Sequence, residues 1–578
     1  MINKKVYYKR LDYIRVISCI MIFLYHLHIL QGGFLAVCTF FTLSGYLSCL
    51  SALKKEDFSL KKYYHDRLKK IYIPLLVVVS LTIILSTKVF NPTWINMKKE
   101  TLSVIFGYNN YWQLSASMDY FTKHIASPFT HLWFISMLMQ FELLFPLVFI
   151  GLRKLKETIH RDLSLLIVAI LFITTITYFY YISGTQNVMP VYYNSFARSF
   201  SFLGGILLMI LTYYFGNKLI KLLRQCNRLV FLIYVIALLC FGIFVSDKSG
   251  NYALFMILTT FISMRLIKYS TLKNSRTKPS LITQFISNNS YEIYLVQFPV
   301  IFFFDSVNMN GVLKTILIIV ITIIVSACIH FISNFNVKNM VLKITKIFVV
   351  TLIIIIGTIF YIGEKDKSIE MSELEKLLNK NLKTITEKNK ENIEKIENQQ
   401  VKEEQPQVQE KTPTENNSIE ITDSVSEIPV VGIGDSVMLG AVDALYEKFP
   451  NGYFDGKVSR TILEAEDVIE ELKNKGALGD TLILALANNG DYRDWICEEL
   501  MEYVGDRQVY WITAVLADDP EFNTRFSEFA KNYPNIHIVD WEAASKDHPE
   551  YFYADGIHLK PDGMYAYAEV IYNAIYGN

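Results

Sequence analysis

The chain of 578 residues has room for several domains. Its composition excludes an ordinary soluble protein, since 52% of residues are hydrophobic, 14% aromatic and 19% charged, against roughly 45–50% apolar and about 25% charged in soluble domains. The formal net charge of +1, with no basic face concentrated on one element, argues against a general polyanion binder and hence against a nucleic-acid partner.

Residues 11–362 are dominated by long apolar runs. A membrane-crossing helix needs about 20 mainly apolar residues, and eleven candidates begin near residues 11, 33, 71, 131, 163, 197, 228, 251, 286, 311 and 345. The first run, 14–30, has no small-residue cleavage site and is followed by another, so it reads as a signal anchor. The amino terminus and alternate loops (54–70, 153–161 and 265–278 among them) hold roughly 27 Lys and Arg. The other loops, such as 183–197 and 305–311, hold roughly 5. This bias places the amino terminus in the cytoplasm, and an odd number of crossings puts everything after about residue 362 outside.

Residues 363–404 intersperse Lys and Glu at helical spacing, and 405–426 are rich in Pro, Gln, Thr, Ser and Asn. The segment 363–427 therefore reads as a charged stalk and linker. From residue 428 short apolar runs alternate with amphipathic segments. Strands are predicted at 428–434, 481–486, 508–515 and 535–541, and helices at 437–448, 463–475, 492–504, 522–532 and 563–576. That alternation predicts a parallel sheet covered on both faces, an α/β three-layer domain over 428–578. Of the seven cysteines (Cys19, Cys38, Cys49, Cys226, Cys240, Cys328 and Cys497) the last alone falls in this part. With no CxxC and no Cys/His cluster, neither a disulfide nor a metal site is expected.

Two short motifs carry chemistry here. Gly434-Asp435-Ser436 lies where the first predicted strand gives way to a helix, at the carboxyl edge of the sheet where open α/β folds place their ligands. Asp555-Gly556-Ile557-His558 precedes the last helix. A serine hydroxyl is a weak nucleophile unless a base takes its proton, and that base is oriented by a carboxylate. Ser436, His558 and Asp555 supply these roles. Either motif alone is a common turn; their joint occurrence at the two ends of one domain is the signal. These motifs resemble the SGNH (GDSL-type) hydrolase superfamily, a flavodoxin-like fold, over the whole of 428–578. The second block of the family is similar to Asp455-Gly456-Lys457-Val458-Ser459-Arg460, and the third to Ala487-Asn488-Asn489-Gly490, with Ala in place of the first Gly. The resemblance implies an oxyanion hole built from the backbone N–H groups of Ser436 and Ser459 and the side-chain amide of Asn489.

In the apolar part, the first span carries Asp12, Arg15, His26 and His28 among Ile, Leu, Phe and Met. Ionisable residues inside spans are costly and functional by default. Arg15 and His26 are eleven residues apart, three helical turns, on roughly one face. A histidine packed against a neighbouring helix is the structural alternative. The segments LDYIRVIS with His26, GGFLAVCTFFTLSGYL, KKYYHDRLKKIYIP, HLWFISMLMQFELLFP and SYEIYLVQFP follow in that order. Together they resemble the acyltransferase-3 family of integral membrane acyltransferases over 8 to about 362, giving a membrane domain 1–362. The resemblance implies a catalytic role for His26 and acyl-CoA contacts from Arg15, Arg67 and Lys70 at the cytoplasmic face, where a positive-inside anchor is the alternative for the basic cluster. Where many relatives carry a Glu-Glu pair this chain has Leu138 and Met139, and Gln297 stands where His is frequent.

The combination of a multi-pass helical membrane domain of about eleven spans with an SGNH domain is similar to bacterial peptidoglycan O-acetyltransferases. The expectation is an O-acetyltransferase with acetyl-CoA as donor, no bound cofactor, membrane lipid as surroundings and a cell-wall glycan as acceptor. Teichoic acid or an exported polysaccharide, an outward-facing acetylesterase, and a transporter or sensor with an enzymatic tail are the alternatives.

Overall fold

The computed structural model describes the chain apart from residues 1–7, 55–57, 91–93, 119–126, 159–160, 186–187, 224–227, 247–250, 273–278, 306, 308, 336, 404–427, 491, 517–520 and 578. Cys226 and the whole of the expected linker, 405–426, therefore lie outside the described residues. The chain divides into two compact units, Met1–Asp366 and Lys367–Asn578.

The first unit is helical. Among the described residues it contains eleven helices of 17 residues or more: Lys9–His26, Ala36–Leu53, Leu60–Leu85, Trp133–Thr158, Arg161–Ser183, Ser195–Leu223, Arg228–Phe244, Tyr252–Leu272, Leu281–Asp305, Gly311–Ser333 and Met340–Gly363. Every expected run is helical, and eight of these helices are long and apolar enough to cross a membrane. The others fall short for physical reasons. Arg228–Phe244 has a short apolar core, and Lys9–His26 and Leu281–Asp305 carry polar groups that are hidden inside the bundle. Asp12, Ser287, Asn289, Glu292 and Gln297 are all buried, and the Ser287 hydroxyl donates to Asp12 Oδ1 at 2.7 Å, tying the two helices together. A polar group facing protein rather than lipid is tolerable in a bilayer.

Burial separates the centre of the bundle from its rim. The span containing Ala36–Leu53 is 78% buried, whereas those of Gly311–Ser333 and Met340–Gly363 are 22% and 17% buried, so the last two present apolar side chains to their surroundings. The central helix meets Ser195–Leu223 at very close range. A Cβ on Gly45 would lie 2.1 Å from the Phe202 carbonyl oxygen, and one on Gly205 would lie 2.0 Å from that of Thr42. Small residues at such crossings let two backbones pack directly.

The second unit holds a five-stranded parallel sheet: β1 (Val431–Gly434), β2 (Tyr453–Gly456), β3 (Thr481–Ala485), β4 (Gln508–Ile512) and β5 (Ile536–Val539), in the order β2-β1-β3-β4-β5. This is the flavodoxin-like winding, whose switch point lies between β1 and β3. Strand β1 is buried along its whole length and β3 at all but its first residue, as strands covered on both faces must be. The four expected strands are present, and β2 is an addition. It has four residues, of which Tyr453 and Phe454 alone are apolar, too short to stand out in sequence. The expected helix 437–448 is interrupted at Ala441, giving Ser436–Gly440 and Val442–Lys448.

Residues expected as a solvated stalk include one 36-residue helix, Ser368–Glu403, which is solvated on one side and packed on the α/β body with the other. Met371, Leu374, Leu378 and Ile385 are buried, and three asparagines on the same face bond to main chain. Asn389 Nδ2 donates to the Phe454 carbonyl at 2.8 Å while its Oδ1 accepts the Phe454 N–H at 3.1 Å and the Tyr446 hydroxyl at 2.7 Å. Asn392 donates to the Gly452 carbonyl at 2.8 Å. β2 is an edge strand, and an open edge offers unpaired N–H and C=O groups; the amide of Asn389 closes it as a further strand would. Asn381 donates to the carbonyls of Leu439 and Gly440 at 2.8 and 3.0 Å, at the end of the short helix that begins with Ser436.

Replacing Asn389 by Ala leaves the Phe454 amide and the Tyr446 hydroxyl without their partner, at a cost of about 2–4 kcal/mol. In thermal unfolding of the detergent-solubilised protein, the transition of the second unit is expected to fall by about 5–10 °C; an unchanged transition would show that the edge does not need the helix.

Candidate active site

Strand β1 delivers Asp435 and Ser436 to the carboxyl edge of the sheet. Asp435 caps the helix Ser436–Gly440, its Oδ1 accepting the Val437 N–H at 2.8 Å, as short side-chain acceptors do at helix starts. Its Oδ2 accepts the side-chain amides of Asn488 at 2.7 Å and Asn489 at 3.3 Å. Asp435 is fully buried. Burial raises its carboxyl above the ordinary value, opposed by the Asn488 amide and the Val437 N–H.

Ser436 Oγ lies 2.9 Å from His558 Nε2, and His558 Nδ1 lies 2.7 Å from Asp555 Oδ2. Asp555 Oδ1 accepts the backbone N–H groups of Ile557 and His558 at 2.9 and 3.1 Å. Burial alone would raise the Asp555 carboxyl, but the His558 imidazole and these two amides outweigh it and hold the group below its usual value. An ionised Asp555 accepts only, so the ring proton sits on Nδ1 and Nε2 is left to accept from the serine. The loop is fixed at both sides: the Tyr553 N–H donates to the His558 carbonyl and the Lys560 N–H to that of Tyr551. Gly556, at φ +74°, makes the turn between acid and base that a side chain would strain.

The second block is strapped to the same place. Lys457 N–H donates to the Gly434 carbonyl at 3.1 Å. Buried Arg460 reaches that carbonyl at 3.3 Å, the Asp455 carbonyl and, at 2.9 Å, Asp455 Oδ1. A Cβ on Gly456 would meet Leu439 Cα at 2.8 Å, so the end of β2 lies directly on the serine-bearing helix. Ser459 is exposed and holds φ +61°, a left-handed conformation that is uncommon for a residue with a side chain and is stored at functional loops. Asn489 keeps one amide hydrogen beyond the one directed at Asp435. The three groups expected to form an oxyanion hole thus belong to segments bonded to Gly434, Asp435 and Ser436. Arg460 and Asn488 are the positions whose part sequence reasoning missed, although both stand inside the quoted motifs.

In the helical unit the candidates are spread out. His26 ends the helix Lys9–His26, partly exposed, with its Nδ1 buried and without a hydrogen-bond partner. Arg15 lies about 16 Å away along the same helix at 1.5 Å per residue and pairs with Asp12 at 3.5 Å, so the structure does not bring Arg15 and His26 together. Arg67 lies with Glu142, its Nε 3.3 Å from Oε2, and its Nη2 is 2.5 Å from Ser48 Oγ. Tyr63 donates to the same carboxylate and Ser48 donates to it at 2.7 Å. Lys70 is exposed. Glu142, buried at 4% exposure, is a carboxylate the sequence reading passed over; it lies one helical turn beyond Leu138 and Met139, and that spacing is the signal. His131 was also passed over: its ring centroid is 6.0 Å from that of His26.

A helical unit with eight helices long and apolar enough to cross a membrane, joined to an α/β unit with a closed Ser–His–Asp chain, defines a membrane-bound acyl-transferring enzyme. Residues 8–331, more than half of the chain, match the acyltransferase-3 family, described as an acyltransferase domain, and the protein belongs to that family. It is a multi-pass membrane acyltransferase and a homologue of O-acetyltransferases. It is 27% identical over 599 residues to O-acetyltransferase OatA of Staphylococcus aureus strain MRSA252, covering 98% of this chain and 95% of that one. A putative O-acetyltransferase of the same strain is 26% identical over 618 residues, covering 99% and 98%. Among solved structures, the C-terminal catalytic domain of Streptococcus pneumoniae peptidoglycan O-acetyltransferase A aligns with 26% of this chain and 91% of its own, at 21% identity and a TM-score of 0.23.

The Asp555→Asn variant is expected to lose about 10³–10⁴-fold in turnover of an artificial acetyl ester at pH 7, since the amide favours the wrong imidazole tautomer. The depressed Asp555 carboxyl sets the sign of a second measurement. Its contribution to stability is present above the ordinary carboxylate range and lost as pH falls below about 4. The difference in melting temperature between wild type and Asp555→Asn is therefore expected to persist at pH 5 and to shrink below pH 4.

Proposed function

We propose that the protein moves acetyl groups from cytoplasmic acetyl-CoA across the membrane to Ser436 and from there to a cell-surface glycan, the 6-hydroxyl of N-acetylmuramic acid in peptidoglycan. The observation that carries this reading is the closed Ser436–His558–Asp555 chain in the same polypeptide as an acyltransferase-3 membrane domain. A hydrolase needs water alone, whereas a fused acyltransferase unit makes sense as the supplier of an acyl group. The Lys/Arg bias of the loops supports a cytoplasmic amino terminus. Counted with Lys9–His26, Arg228–Phe244 and Leu281–Asp305, the eight candidate spans make eleven crossings, and on that count residues 363–578 lie outside, away from the donor, so the acetyl group has to be relayed through the bilayer.

At the outer site, His558 Nε2 takes the Ser436 proton as Oγ attacks the acetyl carbonyl, and returns it to the departing carrier. The acetyl-serine is then attacked by a glycan hydroxyl whose proton passes to His558 and on to Ser436 Oγ. The Ser436 and Ser459 N–H groups and the Asn489 amide face the oxyanion, each worth roughly 3–4 kcal/mol in systems of this type. Within the membrane unit His26 handles the acyl group, and Arg67, with Arg15 and Lys70, lies at the cytoplasmic end where acyl-CoA phosphates arrive.

Ser436→Ala is expected to abolish base-releasable acetate in purified peptidoglycan from cells, and His26→Ala to do the same while turnover of an artificial acetyl ester at Ser436 persists. Acetate found instead in the teichoic-acid or exopolysaccharide fraction would move the acceptor; wall acetate retained in Ser436→Ala would remove the outer site from the reaction.

A further inference from the structure

The helical unit contains a second imidazole that the reaction above does not use. His131 stands in the turn Thr130–Leu132, just before the helix Trp133–Thr158. It is 2% exposed, and its ring nitrogens make no hydrogen bond of good geometry, with the backbone of Leu295 and Tyr294 in weak contact. Its ring is held by packing: it stacks on Phe298 with centroids 5.1 Å apart and planes at 18°, and lies 5.2 Å from the ring of Tyr294. The Tyr294 hydroxyl donates to the His131 main-chain carbonyl, which fixes the backbone. His26 approaches the same Phe298 edge-on at 5.2 Å and faces His131 at 6.0 Å and 80°. Beside Phe298 in the chain, Gln297 also carries a buried oxygen without a partner.

A buried polar group left unpaired costs roughly 1–3 kcal/mol, and such groups are few in native proteins. Packing alone would be served as well by phenylalanine at position 131, which stacks equally and has no nitrogens to desolvate. Two imidazoles packed on one phenyl ring, from elements more than a hundred residues apart in sequence and without a well-formed hydrogen bond on the buried nitrogens, make a setting that a polar guest could complete.

We propose that His131 is a second catalytic residue of the membrane unit, paired with His26 around the carbonyl of an acyl thioester. This rests on the reading of His26 as the acyl-handling group. A neutral imidazole has one donor and one acceptor nitrogen, so the pair can divide the work. His26 takes the proton of an attacking alcohol hydroxyl, or of water where acetyl-CoA is the sole substrate and acetate is the product, as its oxygen bonds to the acyl carbon. The carbon–sulfur bond breaks, and the same proton passes from His26 to the departing thiolate, giving a free thiol and, with an alcohol, an oxygen ester. His131 N–H donates to the carbonyl oxygen while that atom carries negative charge, and ends the step unchanged.

The test uses the full-length protein in lipid vesicles, with acetyl-CoA as probe and thiol release as readout. His131→Phe keeps the stacking and removes the donor; it is expected to lower kcat about 100-fold, the usual effect of deleting one oxyanion donor, with KM for acetyl-CoA within twofold. His131→Gln restores an N–H donor and is expected to recover to within about tenfold of wild type. Ester hydrolysis at Ser436 reports folding of the second unit, and a helical-unit thermal transition within a few degrees of wild type reports folding of the unit that holds His131. Wild-type thiol release by His131→Phe overturns the inference, and so does a His131→Gln variant as slow as His131→Phe. If His131→Phe does not fold, the Gln variant alone decides: thiol release within about tenfold of wild type supports the inference, and a loss of about 100-fold in folded protein overturns it. Wild-type thiol release by His26→Ala would instead sink the reading of His26 on which the pair depends.

Discussion

The carboxylate of Asp435 is buried without a cation beside it, and the surroundings of Ser436 depend on that arrangement. Its two oxygens collect one backbone N–H from the serine-bearing helix and two side-chain amides from the loop after β3. A charge in such a place is costly unless its lone pairs are filled, so the capping turn and the loop 487–490 have to be where they are at the same time. The neighbouring Gly434 carbonyl plays the matching part for the second block, accepting from Lys457 and Arg460. Two adjacent acceptors at the end of one strand thereby assemble three segments separated by 20 to 50 residues of chain.

The long helix Ser368–Glu403 extends the same logic to the far side of the serine-bearing helix. Asn381 binds its last carbonyls, and Asn389 and Asn392 bind the adjacent edge strand. The serine therefore stands on a helix of five residues that is held by Asp435 at its start and by Asn381 at its end. So short a helix has little stability of its own, and its position is set by these tertiary bonds. The helix that leads into the α/β unit is part of the scaffold of the site as well as a connection.

The triad was legible because each of its members sits in a contiguous motif of three or four residues, and the strand-helix alternation placed those motifs at one edge of a sheet. What was illegible has a common cause. β2 is four residues long, and its partner Asn389 lies about 65 residues earlier, so neither element leaves a local pattern. The asparagines at 381, 389 and 392 do fall on one helical face with Leu374, Leu378 and Ile385, but the Lys and Glu between them dominate the composition and read as a solvated spacer. In the membrane unit, Glu142 was hidden by the expectation of a carboxylate at 138–139. The shared face of Arg15 and His26 was right as periodicity, yet three turns of helix separate them. Helical period reports direction around an axis and says nothing of distance along it.

The two sites also differ in how they rest. Around Ser436 each polar group of the triad already has its partner, which is the mark of a site organised in advance. In the membrane unit several buried carboxylates are likewise satisfied: Asp12 by Ser287, Glu142 by Tyr63 and Ser48, and Glu100 by Trp94 and Gln113 at 2.9 and 2.8 Å, while Glu292 has His330 at 3.0 Å on Oε1 and no hydrogen-bond partner on Oε2. Even Arg198, fully buried, lies 5.0 Å over the ring of Tyr192 and donates toward Met256 Sδ at 3.3 Å, an aromatic cage that a cation favours. The imidazoles of His26 and His131 differ from these groups in their setting, since both pack on the one ring of Phe298, at 5.2 and 5.1 Å between centroids. That setting suits the role proposed for the pair, since an acyl carbonyl entering between the two rings would give both imidazoles a polar partner.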